Sequence, residues 1–297
     1  MSVILVSCGK SNSSKSVPLT IGYSALTADY LPLYVARDFG MFKSAGLMVG
    51  LELTKTGSVT VTAVSSNSIQ MGSAAGDAFV HAWLAGARSF RIVSGLVGVN
   101  DMTLYTTPKF AANPSEIKTV AVAKGSASDA AFEMMKERGL LNQLSRGVSM
   151  DEVGAAKVAA IKSGQVDAGP FSIVPGLEAK RSGLVKAIDL TPMGISYPMA
   201  VLGVNKDFLS QHPVEVSKVV AALNRATTFI KENPSVVKEE IAKLFNLSAE
   251  ESGTVYRFYQ NLFNLGVSYG EFEPIIGNPV SRLAGMIELG LATAGEG

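Results

Sequence analysis

Short apolar runs with a two-residue period, each ending in a small polar turn and followed by a helix of about ten residues, constrain this chain more than any other feature. Leu19, Ile21 and Tyr23 alternate as a half-buried strand, the polar loop from Ser24 to Asp29 follows, and Leu33 to Asp38 reads as a helix closed by Gly40. Leu47, Val49, Leu51 and Leu53 alternate again, which completes a βαβ unit. Thr54-Lys-Thr-Gly57-Ser58 is a further small polar loop, with a helix through Val61 and Val64 after it. In the next stretch Ile69 and Met71 stand two apart, Gly72 to Gly76 are small enough to let a ligand meet the backbone, and Asp77 can cap the following helix. Strands alternating with helices argue an α/β architecture with a largely parallel sheet, in which ligands belong at the carboxyl ends of the strands. The loops at 24–30, 56–58 and 73–77 each follow a strand and are expected along one edge.

A second series begins after the turn Asn100-Asp101. Met102 to Thr106 reads as a strand that carries the chain across, and Thr119 to Ala123 as a buried strand entering a Gly125-Ser126-Ala127-Ser128 turn and a helix with Ala131, Met134 and Met135 on its apolar side. A helix from Ala155 to Ser163, a short strand from Val166 to Ala168, a helix from Ser172 toward Gly183 and a strand from Leu184 to Leu190 follow. Pro198 to Val204 reads as a strand, and beyond Pro213 the chain turns to long helices. There Val216, Val219, Val220, Leu223, Thr227 and Ile230 share one face, and Asn246 marks a stop.

With 47% hydrophobic residues in 297, the chain can build a sizeable core. Its 26 basic and 25 acidic side chains leave a formal charge of +1, so no global field selects a nucleic acid or an acidic partner. Any charged ligand must be handled locally. The sole cysteine, Cys8, excludes an intrachain disulfide and a thiol metal cluster. Leu5-Val6-Ser7-Cys8-Gly9 resembles a lipoprotein lipobox with Cys8 as the acylated residue, and Ser11 to Ser16 would be the flexible tether. Only Met1 to Val6 stand before Ser7, so the signal reads as truncated.

Gly9-Lys10-Ser11 fails as a phosphate-binding loop because position 4 is Ile where that loop needs glycine. His81 and His212 are the only histidines and lie far apart in sequence, which leaves zinc binding and a serine triad poorly supported. The Gly125-Ser126-Ala127-Ser128 turn carries more. Backbone N–H groups at a helix start, joined by two hydroxyls, can hold an oxyanion without a cationic side chain, although seen alone the turn is also an ordinary serine cap. Asp167 either faces the ligand or satisfies nearby backbone donors.

Taken together these turns resemble the periplasmic-binding-protein type II fold, specifically the solute receptors of ABC importers for sulfonates, nitrate, taurine and thiamine precursors. The resemblance rests on Asn67-Ser-Ile-Gln-Met-Gly72, Gly76-Asp77-Ala78, Ala85-Gly86-Ala87, Val120-Ala-Val-Ala-Lys-Gly125-Ser126, Gly164-Gln-Val-Asp167-Ala168 and the first helix from Leu31 to Phe42, in order over about residues 18 to 270. Gln70, Ala127 and Gly169-Pro170 depart from the pattern. The last stands where the family often has Trp, which removes an aromatic wall.

The resemblance implies two α/β lobes joined by crossover strands near Met102 to Thr106 and Pro198 to Val204. Residues 1–17 would be signal and tether, 18–102 with 200–297 the first lobe, and 103–199 the second. It implies an extracytoplasmic, lipid-anchored, monomeric receptor that closes on a small anionic or polar organic solute and docks on the permease, with no cofactor, no metal, no nucleic acid and no catalysis. Gly125, Ser126 and Ser128 would hold the ligand's head, Ser73, Gly76 and Asp77 its other side, Thr27 and Tyr30 would bond or cover it, and Thr56, Ser58 and Asp167 are further candidates. The competing reading is an enzyme on the same scaffold, such as a thiamine-pyrimidine synthase-like protein, with Asp77 and Asp167 as the available acids.

Overall fold

The computed structural model describes residues 17–150 and 154–263. The lipid-anchor reading at Cys8 and its tether lie outside the described residues, as does the chain beyond 263.

In the first half of the chain the elements are β1 (Pro18–Tyr23), α1 (Leu31–Asp38), α2 (Met41–Ser44), β2 (Met48–Leu53), α3 (Gly57–Ser65), β3 (Met71–Ala74), α4 (Gly76–Leu84) and β4 (Phe90–Val99). Next come β5 (Thr103–Thr106), α5 (Pro108–Ala111), β6 (Thr119–Val122), α6 (Ala127–Glu137), β7 (Arg146–Ser149), α7 (Ala155–Ser163), β8 (Ala168–Phe171), α8 (Ile173–Arg181) and β9 (Val185–Asp189). The described chain ends with β10 (Ser196–Asn205), α9 (Lys206–Gln211), α10 (Pro213–Glu232), α11 (Pro234–Phe245) and α12 (Ala249–Tyr259).

Two five-stranded sheets result, with strand orders β2-β1-β3-β10-β4 and β7-β6-β8-β5-β9. The sequence suggests largely parallel sheets, but each contains one strand antiparallel to both neighbours, β10 in the first and β5 in the second. Both reversed strands arrive from the other sheet. A strand that enters at the edge where its neighbours end has to run against them, and this is why the parallel βαβ rule fails there. The two connections run side by side, with the Asn100 amide on the Ile195 carbonyl at 3.0 Å and the Leu190 amide on the Met102 carbonyl at 3.1 Å.

A row of three glycines in register, Gly22, Gly72 and Gly203, crosses β1, β3 and β10. A Cβ on these residues would lie 2.5 Å from Ile69, 2.6 Å from Thr60 and 2.3 Å from Phe79, so the row is the floor on which α3 and α4 pack. The space at Gly72 is therefore filled by protein, not by a ligand. Close packing of the two helices fixes where their first turns, after β2 and β3, meet the sheet edge.

The helical face of α10 is buried at Val216, Val219, Leu223, Thr227 and Ile230 and packs on α1 and α2. Asn246 adopts the left-handed conformation that ends α11. The strand expected at Val166 to Ala168 instead runs from Ala168 to Phe171. Pro170 lies beyond the bridge to β6 at Ala168 and faces only β5, at Leu104, so one neighbour at most could call on the N–H it lacks. β7, a half-exposed edge strand, has no alternation strong enough to be read from sequence. Among the described residues no helix is long and apolar enough to cross a membrane.

Candidate functional site

A cavity of about 740 Å³ lies between the two sheets. One wall comes from the loops after β1, β2 and β3 with the end of α11, and the other from the turn after β6, the start of α7 and the segment from β8 into α8. Met102, on the segment between β4 and β5, and Met199, in the first half of β10, lie between these walls. The site thus sits at the carboxyl ends of the parallel strands of both sheets, where helix starts and irregular backbone supply polar groups.

Of the residues expected from sequence, Thr27, Tyr30, Thr56, Ser126 and Ser128 line this cavity. Thr56 caps α3, its Oγ1 accepting from the Val59 amide at 3.2 Å, and its hydroxyl meets that of Ser58 at 3.1 Å. Ser58 supports Thr56 from outside the lining. The Tyr30 hydroxyl is 2.6 Å from Ser24 Oγ, and burial raises its pKa. Thr27 Oγ1 donates to Oδ2 of the buried Asp29 at 2.6 Å, so this hydroxyl is engaged by the wall's own carboxylate.

The glycine-serine turn after β6 forms as expected but is already occupied. Gly125 has the positive φ that the turn requires, and its amide donates to Asp129 Oδ2 at 3.1 Å. The Ser126 amide donates to the Ala123 carbonyl, the Ser128 amide to Ser126 Oγ, and the Ala123 amide to Ser128 Oγ. Lys124 closes the group on Asp129 at 2.8 Å. The expected oxyanion cradle is therefore closed by the chain's own acceptors, a carboxylate, a carbonyl and a hydroxyl, and Gly125 stands outside the lining. What this turn presents to the cavity is its Ser126 and Ser128 side chains.

The remaining expectations are corrected by packing. Ser73 is fully buried with Oγ on the Val201 carbonyl at 2.9 Å, and a Cβ at Gly76 would meet Pro198 at 2.6 Å, so that turn is pressed against protein. Asp77 does not cap α4, whose N-cap is Ala75. One carboxylate oxygen of Asp77 is buried without a hydrogen bond, and burial pushes its pKa up to about 6 against the pull of Tyr197 and His81. Asp167 lies at the opposite edge of the second sheet. Its Oδ2 accepts from the amides of Lys118 and Thr119, each at 2.9 Å, which is the backbone-satisfying alternative.

Charged groups in the lining escaped the sequence reading. Lys157, on α7, is 2% exposed, and burial pushes its pKa down to about 8. It falls on the buried stripe of α7 with Ala160 and Ile161, three and four residues on, and this spacing was the one available signal. Arg181, on α8, reaches across to Glu251 of α12, Nε to Oε1 at 2.7 Å, and ties the two sides of the cavity together. Glu251 also forms the capping box of α12 with Ser248. Arg181 foremost, with the Ser248 amide, holds the Glu251 carboxyl down to about 2.

A family model described as NMT1/THI5 like matches residues 27–236. No curated protein matches the sequence. Among solved structures, the conserved Candida albicans CA3427 gene product, which exhibits the generic periplasmic binding protein structural fold, aligns with a TM-score of 0.72 over 94% of this chain and 92% of its own, at 14% identity. The alkanesulfonate-binding protein SsuA from Xanthomonas axonopodis pv. citri, bound to MOPS, aligns with a TM-score of 0.69 over 83% and 85%, at 17% identity. The periplasmic nitrate-binding protein NrtA from Synechocystis PCC 6803 gives 0.64 over 80% and 69%, at 13% identity. These likenesses show the fold.

Proposed function

From the premise that this chain belongs to the NMT1/THI5-like family, we propose that it is the extracytoplasmic solute-binding receptor of an ABC importer, taking a small organic solute between two lobes. The observation that carries the reading is the cavity itself, about 740 Å³ and walled from both sheets by loops at the carboxyl ends of their strands. Each sheet with its helices acts as one lobe, the first from residues 18–102 with β10 and the described helices after it, the second from β5 to β9, and the paired crossing segments at Asn100–Met102 and Leu190–Ile195 act as the hinge. Closure presents a surface that the permease reads. The names of structurally similar proteins, which include an alkanesulfonate-binding and a nitrate-binding protein, support the same ligand range. The enzyme reading loses its candidate acids, because neither Asp77 nor Asp167 lines the cavity.

A thermal-shift screen against sulfonates, carboxylates, nitrate, pyrimidines and aromatic acids tests this reading. A ligand at a hundred times its Kd is expected to stabilise the protein by about 2.7 kcal/mol. A screen in which no class raises the melting temperature would sink the receptor assignment. For the ligand found, Arg181→Ala is expected to speed release several-fold by removing the bridge to Glu251, in a stopped-flow displacement measurement at low salt. An unchanged off-rate would show that the bridge does not hold the lobes.

A further inference from the structure

The cations of the cavity wall are not equivalent. Arg181 is committed to Glu251, and Lys55 stands exposed at the rim. Lys157 is buried, its Nζ donates to the Pro170 carbonyl at 3.3 Å, and no carboxylate among the described residues forms an ion pair with it. An ammonium carries three N–H groups, so two remain for a molecule that enters the cavity.

Burial of a cation without a counter-charge is strongly unfavourable, yet the fold makes room for this one. A Cβ on Gly169 would lie 2.9 Å from Lys157 Cδ, so the lysine stem occupies the place a side chain on β8 would fill. The ammonium then stands beside Pro170 and 5.1 Å from the Phe171 ring, both lining residues. The serine turn cannot serve as a strong anion site, because its amides are already engaged, that of Gly125 by Asp129, that of Ser126 by the Ala123 carbonyl and that of Ser128 by Ser126 Oγ, and its one cation, Lys124, is paired with Asp129.

We propose that Lys157 is the residue that recognises the ligand's charge, and that the ligand is an organic monoanion, a carboxylate or sulfonate, on a bulky apolar body. The proposal rests on the receptor reading above and names the solute class for it. Leu26, Leu53, Met102, Phe171, Val174 and Met199 supply apolar wall, and the volume accommodates a body of fused-ring size. One acid group is specified because a single buried ammonium is uncommitted, while Asp29 and Glu178 on the same lining disfavour a second negative charge.

A matched pair of dyes tests this: anilinonaphthalene sulfonate and its unsulfonated parent, phenylnaphthylamine, titrated by fluorescence into the full chain. The wild type is expected to bind the sulfonate one to one, about tenfold or more tighter than the parent, the ratio that a charge-assisted hydrogen bond supplies. Lys157→Met should abolish that preference while still binding the parent, whose retention also reports a folded cavity, and Lys157→Arg should keep part of it. Equal affinities for the two dyes in the wild type, a preference that survives Lys157→Met, or loss of both dyes together in that variant would overturn the proposal. If neither dye binds, the apolar-monoanion class falls. The receptor reading then stands or falls separately on the thermal-shift screen.

Discussion

Tyr259→Phe is expected to destabilise the protein by about 3 kcal/mol or more, a drop in melting temperature of roughly 6 to 12 °C. Tyr259 is fully buried on α12, and its hydroxyl stands between two carboxyl groups, Asp29 Oδ1 at 2.7 Å and Asp101 Oδ2. Asp29 follows β1 and Asp101 lies on the connection from β4 to β5, so one phenol joins the cavity wall, the crossing segment and the C-terminal helices. A phenol has one proton, which serves Asp29. The second contact therefore requires a proton on Asp101, and burial first, then the neighbouring Asp29 carboxylate, raises the Asp101 pKa well above the ordinary carboxylate range. Replacing Tyr259 by Phe keeps the ring and leaves two buried carboxyl groups facing a ring edge. Thermal unfolding measures the outcome, and a melting temperature within a degree of the wild type would refute the account.

The same cluster sets a sign for pH. Asp101 keeps its proton in the folded protein and loses it near pH 4 when unfolded, so above pH 4 the folded state binds more protons. This group's contribution is complete below the unfolded pKa and declines as pH rises toward the raised folded value. Asp101→Asn, which stays neutral and keeps a donor for the Tyr259 oxygen, should remove that part of the decline in denaturant titrations run between pH 4 and 7.

Lys157→Met is expected to make the ligand-free protein more stable at pH 7, by up to about 3 kcal/mol. That ceiling follows from a pKa of about 8 in the fold against 10.5 in the unfolded chain, at about 1.4 kcal/mol per unit. The direction is fixed by linkage. Between pH 8 and 10.5 the unfolded chain binds the extra proton, so wild-type stability gains from this lysine's neutralisation as pH rises through that window. Below pH 8 both states are charged and the full cost of burial remains. The variant lacks the titration, so its advantage over the wild type should shrink from pH 7 to pH 10 in urea unfolding. A variant less stable than the wild type at pH 7 would show that Lys157 is compensated in the apo protein. A gain in stability at the expense of a binding group is the usual relation at a functional site.

The alternation of strand, turn and helix was readable because side-chain period and turn chemistry are local properties. The helix at Ala155 to Ser163 is found as expected, and so are the stop at Asn246 and the buried face of α10. The error that mattered was a shift of about three residues in one strand. With β8 running from Ala168 to Phe171, Asp167 stands at the amino edge beside Thr119, and Pro170 and Phe171 stand at the carboxyl edge in the cavity. Pro170 lies beyond the bridge to β6 at Ala168 and opposite Leu104 of β5. Gly169, which departs from the resembled pattern in place of an aromatic wall, is the gap that Lys157 fills.

The sequence by itself determined the order of strands, turns and helices and the edge on which a site would lie, because burial period, glycine turns and strand-to-helix order act between near neighbours in the chain. Which groups remain open to a ligand was decided only in the tertiary structure. Asp129 closes the serine turn from four residues beyond Gly125, Pro198 is pressed against Gly76, and Lys157 crosses Gly169 from another element. Whether a donor is free depends on every atom within about 3 Å of it, and at Gly76 and Gly169 those atoms belong to other elements of the chain.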